Sequence, residues 1–127
     1  MKKVLFAAAL LFGAITASAQ LSVVKEAKAL KGKPEEAAKV IEAALTNSET
    51  ANDPETWKLA GDFQKAIYDA ENEKMYLSAV DKSKVADTAK MYNSLVKMFE
   101  YYLKCDEVEQ AGVANGSIKK AKHRKKN

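Results

Sequence analysis

The feature that most constrains this chain is residues 86–109, where apolar side chains recur at helical spacing for four turns. Nowhere does the chain show the apolar–polar alternation that is typical of a β-strand. Five glycines and two prolines among 127 residues also leave little turn material for a sheet protein. We therefore predict an all-α fold, whose strongest amphipathic face consists of Ala89, Tyr92, Leu95, Val96, Phe99, Tyr102 and Leu103.

Two shorter helices are predicted near the start of the chain. The first covers residues 21–31 and ends at Gly32. The second covers residues 34–45 and begins with Pro34, whose missing N–H suits the first turn of a helix. The polar residues 46–53 are expected to form a loop. This arrangement indicates a helical hairpin followed by a connection to the rest of the chain.

A third helix is predicted after the N-cap residue Asp53, with Pro54 in its first turn and an end near Glu71. Residues 73–86 are compatible with either a helical turn or a packed loop. The long helix that follows is expected to end near Glu109, ahead of Gly112 and the Asn115-Gly116 pair. On that helix, Tyr92, Phe99 and Tyr102 share one face and are predicted core residues. Tyr101 points elsewhere, toward a surface that a partner peptide can contact.

The first twenty residues have the three parts of a secretory signal peptide in the right order. Lys2 and Lys3 precede an apolar run, residues 4–15, and residues 16–19 supply the small side chains that signal peptidase requires. That run is too short for a stable transmembrane helix, which needs roughly 20 residues. We therefore predict cleavage after Ala19, export to the periplasm or beyond, and a mature chain of 108 residues. The alternative is a buried N-terminal helix.

Small and large residues recur at fixed offsets in the predicted helices. Trp57, Ala60 and Gly61 fall at the positions of the Trp, Leu and Gly that begin a tetratricopeptide repeat, a helical hairpin of ~34 residues. The second and the long helix resemble the second helix of that repeat. The chain thus resembles exported tetratricopeptide proteins of Bacteroidetes-type bacteria, and the residues implied in repeat packing are Ala37, Ile41, Ala44, Leu45, Trp57, Ala60, Gly61, Leu95, Phe99 and Leu103.

Three departures from the repeat pattern are visible. Gln64 stands where the family has tyrosine, Tyr102 is larger than the usual small residue, and 14 residues separate the third and fourth helices. The resemblance implies a short α-solenoid fragment within residues 20–110, built from a degenerate repeat (21–49) and an expanded repeat (53–109). Such proteins are usually longer, and the sequence leaves open whether the chain is a truncated form of one. The implied function is non-enzymatic binding of a protein or peptide.

No catalytic, cofactor-binding or metal-binding pattern stands out in the sequence. Cys105 is the only cysteine and His123 the only histidine, too few for a zinc site. Cys105 is therefore a buried small residue, a free thiol, or half of an intermolecular disulfide. We expect no enzymatic activity and no cofactor.

Charge is distributed unevenly along the chain. Residues 20–110 hold 13 basic and 17 acidic side chains, a net of −4, whereas residues 111–127 hold six basic and no acidic ones. This tail is either a flexible solvated end or the start of a further helix. A second hypothesis for function is that the chain is a small cationic envelope protein that binds polyanions or membrane headgroups through this tail. The basic residues of the tail are Lys119, Lys120, Lys122, Arg124, Lys125 and Lys126. The predicted export argues against nucleic acid as the partner.

Overall fold

The computed structural model describes residues 16–122, which form five α-helices and no β-strand. Helices α1 (Thr16–Ala29) and α2 (Pro34–Leu45) make a first hairpin, and α4 (Pro54–Leu77) and α5 (Thr88–Asn115) make a second. A single helical turn, α3 (Ser48–Ala51), connects the two hairpins. The predicted all-α fold is confirmed.

The helices begin where the capping residues in the sequence place them. Pro34 and Pro54 occupy the first turns of α2 and α4. Asp53 caps α4 by accepting a hydrogen bond from the backbone N–H of Glu55 at 3.0 Å. A carboxylate at this position also interacts favourably with the positive end of the helix dipole. These local signals set where α2 and α4 begin, independently of the packing around them.

The core lies between α1, α2 and α4 and is built largely from alanine. Its buried members are Ala27, Ala37, Ala38, Ile41, Ala44, Ala60, Phe63 and Ile67. Because alanine has the smallest side chain that still favours a helix, rows of alanine let helix axes approach closely. Ile41 and Phe63 fill the space that the alanines leave. Of the residues predicted for repeat packing, Leu45 lies half-buried against this core.

Several predicted helix boundaries differ from the structure, and the first is the start of α1, which begins at Thr16 and not at residue 21. The expected loop 46–53 contains α3, because Asn47 caps a turn by accepting from the backbone N–H of Glu49 at 2.9 Å. Helix α4 continues beyond Glu71 to Leu77, since neither glycine nor proline interrupts it. Helix α5 runs past Glu109 to Asn115.

The end of α5 explains why Gly112 does not terminate that helix. Gly112 is buried inside the last turns, and the side chain of Ile118 packs on the space where a Cβ would be. The helix ends instead at Gly116, whose φ of 84° is a left-handed conformation that glycine adopts without steric cost. The backbone N–H of Ile118 then donates to the carbonyl of Gly112 at 3.0 Å. The start of the tail is thereby held against α5.

Each long helix packs mainly on the long helix next to it in sequence. Helix α1 packs on α2, α2 on α4, and α4 on α5. Residues 1–15 lie outside the described part of the chain, and with them most of the predicted signal peptide. Residues 16–19 belong to α1, and cleavage after Ala19 stays a prediction. No helix in the described range 16–122 has the length and apolar character needed to cross a membrane.

Candidate binding groove

A groove runs between α2 and α5, with α4 as its floor. Its volume is about 390 Å³. Each wall is one helix face with residues at i, i+3, i+4 and i+7, which is the spacing that aligns side chains along a helix. The α2 wall consists of Glu35, Ala38, Lys39 and Glu42, the α5 wall of Lys90, Asn93, Ser94 and Lys97, and the floor of Gln64 and Ile67.

The floor contains a buried polar side chain, Gln64, that lacks a hydrogen-bond partner among the described residues. Gln64 is only 6% exposed, and its carboxamide makes no hydrogen bond to any residue in the described range 16–122. A buried amide without a partner costs free energy, because it has lost the water that would otherwise bind it. The group can donate and accept at once. A peptide bond, which offers one donor and one acceptor, is its natural complement.

The two walls differ in charge. The α2 wall carries two carboxylates and one lysine, whereas the α5 wall carries two lysines, with the carboxylate of Asp87 only at its end, just ahead of the helix. Lys97 forms no ion pair with any other described residue, so its ammonium is available to a ligand. Ser94 is buried, and its hydroxyl donates to the carbonyl of Lys90 at 2.6 Å. The groove can therefore hold a segment with acidic side chains on one side and basic side chains on the other.

An ion pair crosses one end of the groove. The ammonium of Lys90 lies 2.7 Å from Glu35 Oε1 and so links α5 to α2. The hydrogen bond to Glu35 raises the pKa of Lys90. Beyond this pair lies a second cavity that shares Glu35, Ile67 and Lys90 with the first. The pair therefore marks the boundary between the two cavities.

Glu71 positions the start of α5 beside this second cavity. It is buried, and its carboxylate accepts from the backbone N–H of Asp87 and from Lys74 Nζ, both at 2.9 Å. The Asp87 N–H, with Lys74, holds the pKa of Glu71 below its ordinary value. Asp87 in turn caps α5 by accepting from the N–H of Lys90 at 2.9 Å. This chain of contacts fixes the position of the first turn of α5 along α4.

Trp57 lies outside the groove, near the connector between the hairpins. Its indole N–H donates to the carbonyl of Ala51 at 2.7 Å, and its ring is half-buried. The ring centroid lies 5.9 Å from that of Tyr101, and Lys104 Nζ lies at the same distance from the indole. Trp57 thus ties α3 and α4 to α5.

Gly61 and Ala60 both lie at close contacts between helices. Ala60 is fully buried in the core. Gly61 is buried under the ring of Tyr102, and a Cβ there would overlap ring atoms. The Tyr102 hydroxyl donates to Asp62 Oδ1 at 2.6 Å, and burial together with Asp62 raises the pKa of that phenol. The missing side chain at position 61 lets a large residue of α5 lie flat against α4.

The predicted core face of α5 is wrong in part. Tyr92, Phe99 and Leu103 are exposed, and Leu95 is half-buried. Tyr101, predicted on the surface, packs against the core instead. The reason is that α5 meets α4 through the neighbouring face, roughly a third of a turn away. The buried residues of that face are Met91, Ser94, Cys105, Glu109 and Gly112.

Cys105 and the basic tail have clear environments. The Cys105 thiol is buried, and desolvation raises its pKa to about 11, which agrees with its interpretation as a small buried residue. Lys119, Lys120 and Lys122 are exposed. Arg124, Lys125 and Lys126 lie outside the described residues. Within the range 16–122 no three His, Cys, Asp or Glu side chains form a cluster that could hold a metal ion.

Sequence reasoning missed most of the groove. Gln64 gave a signal, because it is a polar residue within the apolar stripe of α4. The wall residues gave no signal, since they look like solvated positions until α2 and α5 lie on either side of α4.

The fold defines an all-α protein of two packed hairpins, with a groove whose floor contains a buried glutamine. Comparison with protein-family models, curated proteins and solved structures found no match for the chain.

Proposed function

We propose that this protein is a non-enzymatic, exported helical-repeat scaffold that binds an extended segment of another protein in the α2–α5 groove. The observation that carries the proposal is the buried carboxamide of Gln64, which has no partner among the described residues and lines the groove floor. A bound backbone would satisfy both of its hydrogen-bonding functions. The export part of the proposal rests on the N-terminal sequence alone.

The packing order supports the repeat part of the proposal. In a helical-repeat protein each unit contacts only its neighbours, and here α1, α2, α4 and α5 pack in chain order. The pattern of Trp57, Ala60 and Gly61 is a second line of support, because all three lie at contacts between helices or beside the connector. The departures at Gln64 and Tyr102 then have structural roles, one in the groove and one over Gly61.

The wall charges specify the kind of segment. From Glu35 to Glu42 the groove accommodates about three or four residues of extended chain. Successive side chains of an extended segment point to opposite sides. A segment of alternating acidic and basic residues therefore places its carboxylates toward Lys97 and its cations toward Glu42. A segment with the same composition in blocks does not.

The test compares two labelled peptides of equal length and composition, one with alternating Glu and Lys and one with Glu-Glu-Lys-Lys blocks. We expect the alternating peptide to bind the full chain at least about fivefold more tightly by fluorescence anisotropy. Gln64→Leu should weaken binding of both peptides, because their backbones lose the amide partner, without lowering the melting temperature, since it removes a buried unpaired amide. Gln110→Leu, at an exposed position, is the matched control. Equal binding of both peptides, or unchanged binding by Gln64→Leu, would contradict the proposal.

A second candidate function rests on the tail. Lys119, Lys120 and Lys122 are exposed and form no ion pair with described residues, so they are available to an anionic surface. Vesicles containing phosphatidylglycerol should bind the full chain in a salt-sensitive way, and replacing the three lysines with glutamine should weaken that binding. Binding that is independent of salt would exclude this function.

A further inference from the structure

The outer face of α5 carries a stripe of large apolar side chains that no described residue covers. Tyr92, Val96, Phe99 and Leu103 are 69%, 38%, 57% and 69% exposed. None of them lines the groove. Contiguous apolar patches of a few hundred Å² on a small protein mark interaction surfaces, and two aromatic and two aliphatic side chains provide an area of that order.

The spacing within this stripe is symmetric. The four positions are separated by four, three and four residues, the heptad spacing that keeps side chains on one seam of a helix. Read in the opposite direction the pattern is unchanged. An identical helix running antiparallel therefore meets the stripe in register, with Tyr92 opposite Leu103 of the partner subunit and Phe99 opposite Val96 of the partner subunit.

We propose that this stripe is the contact surface for a second copy of the chain, which packs its own α5 antiparallel on it about a two-fold axis. Antiparallel pairing places each ring against a smaller aliphatic side chain, which fills an interface better than ring against ring. Parallel pairing would oppose Phe99 to Phe99 of the partner subunit. The dimer would thus cover the large apolar side chains that α5 exposes.

Charge at the edge of the stripe favours the same arrangement. Lys97 and Glu100 lie beside the stripe and form no ion pair with other described residues. In the antiparallel register, Glu100 is level with Leu95 of the partner subunit, and Lys97 of the partner subunit lies only about 3 Å further along the axis. The two-fold axis makes this contact occur twice. In the parallel register the same two groups are not brought together.

The area predicts a weak dimer. The four stripe side chains, which are 38–69% exposed, provide less area than the roughly 800 Å² per partner of a standard stable interface. We therefore expect association at micromolar or higher concentration, in line with interfaces at the small end of the range. None of the four stripe residues lines the groove, so the dimer does not require peptide binding there; only Lys97 borders both surfaces.

Sedimentation velocity of the purified full chain between about 1 and 500 µM tests the proposal. We expect a concentration-dependent dimer, and Phe99→Glu should raise its dissociation constant by at least about tenfold. Val80→Glu, at an exposed valine in the turn after α4, is the matched control and should leave it unchanged. A monomer over the whole range would overturn the proposal. The stripe would then be the contact surface for another segment of the chain or for a different protein.

Two further variants test the orientation. Lys97→Glu and Glu100→Lys should each weaken the dimer about threefold or more, and the double reversal should restore it, because the symmetric pairs are re-formed with opposite sign. A mixture of Val96→Cys and Phe99→Cys chains should form the mixed disulfide on oxidation, with buried Cys105 taking no part. Preferential cross-linking of Val96→Cys to itself would indicate parallel helices and overturn the proposed arrangement.

Discussion

The contact between Gly61 and Tyr102 allows a quantitative test of how α4 and α5 pack. An alanine Cβ at position 61 would overlap ring atoms of Tyr102. The ring cannot move away freely, because its hydroxyl is bonded to Asp62 at 2.6 Å. Overpacking of this kind costs about 1–3 kcal/mol, while replacing glycine by alanine inside a helix returns up to about 1 kcal/mol. Gly61→Ala should therefore lower the free energy of unfolding by up to about 2 kcal/mol.

The same substitution should change sign when the ring is absent. In a Tyr102→Ala background the overlap no longer exists, and Gly61→Ala should stabilise the protein by about 1 kcal/mol through helix propensity alone. Urea unfolding followed by far-UV circular dichroism measures all four corners of this cycle. Gly32→Ala is the control, because a Cβ at Gly32 would meet nothing within 4 Å. Its effect should stay within about 1 kcal/mol.

A stabilising effect of Gly61→Ala in the wild-type background would refute the reasoning, since it would mean that the ring does not lie over Gly61. An equal effect in both backgrounds would refute it as well. In that case the cost would arise from the backbone of α4 and not from contact with α5. Only a difference between the two backgrounds isolates the contact between the helices.

Two other predictions concern titratable groups. Glu71 has a pKa below its ordinary value of 4.5 in the folded protein, so its stabilising effect is complete above that value and is lost as pH falls through the lowered pKa. The difference in unfolding free energy between wild type and Glu71→Gln should therefore be largest near neutral pH and shrink in acid. A difference that grows in acid would contradict this prediction. The Cys105 thiol is buried with a pKa of about 11, so iodoacetamide should label it slowly at pH 8 and rapidly in urea; equal rates, read by mass spectrometry, would show that the thiol is accessible.

Local signals in the sequence predicted the helices well, because those signals act within a few residues. Pro34, Pro54 and Asp53 determine where helices begin whatever packs around them. The end of α5 was harder to predict, since Gly112 can end a helix or serve as a contact surface. The presence of Ile118 six residues later decides between these two roles.

The orientation of α5 could not be predicted from periodicity. The helix has apolar residues on more than one face, and counting them favours the face with Phe99 and Leu103, which the structure exposes. The choice depends on shape, because Tyr102 fits over Gly61 and the small Cys105 lies buried in the same helix. The groove was hidden for a related reason. Its walls come from segments separated by about fifty residues and acquire meaning only once α4 lies between them.

The sequential packing order of the helices has a consequence for how the molecule responds to force. Because most contacts are local in sequence, we expect rapid folding, with either hairpin able to form first. The hairpins meet where α2 packs on α4 and where the Lys90–Glu35 pair spans α5 and α2. Tension applied to the two ends of the chain would load that joint before it unravels either hairpin. The molecule should therefore unfold stepwise under force, with the contact between the two hairpins breaking first.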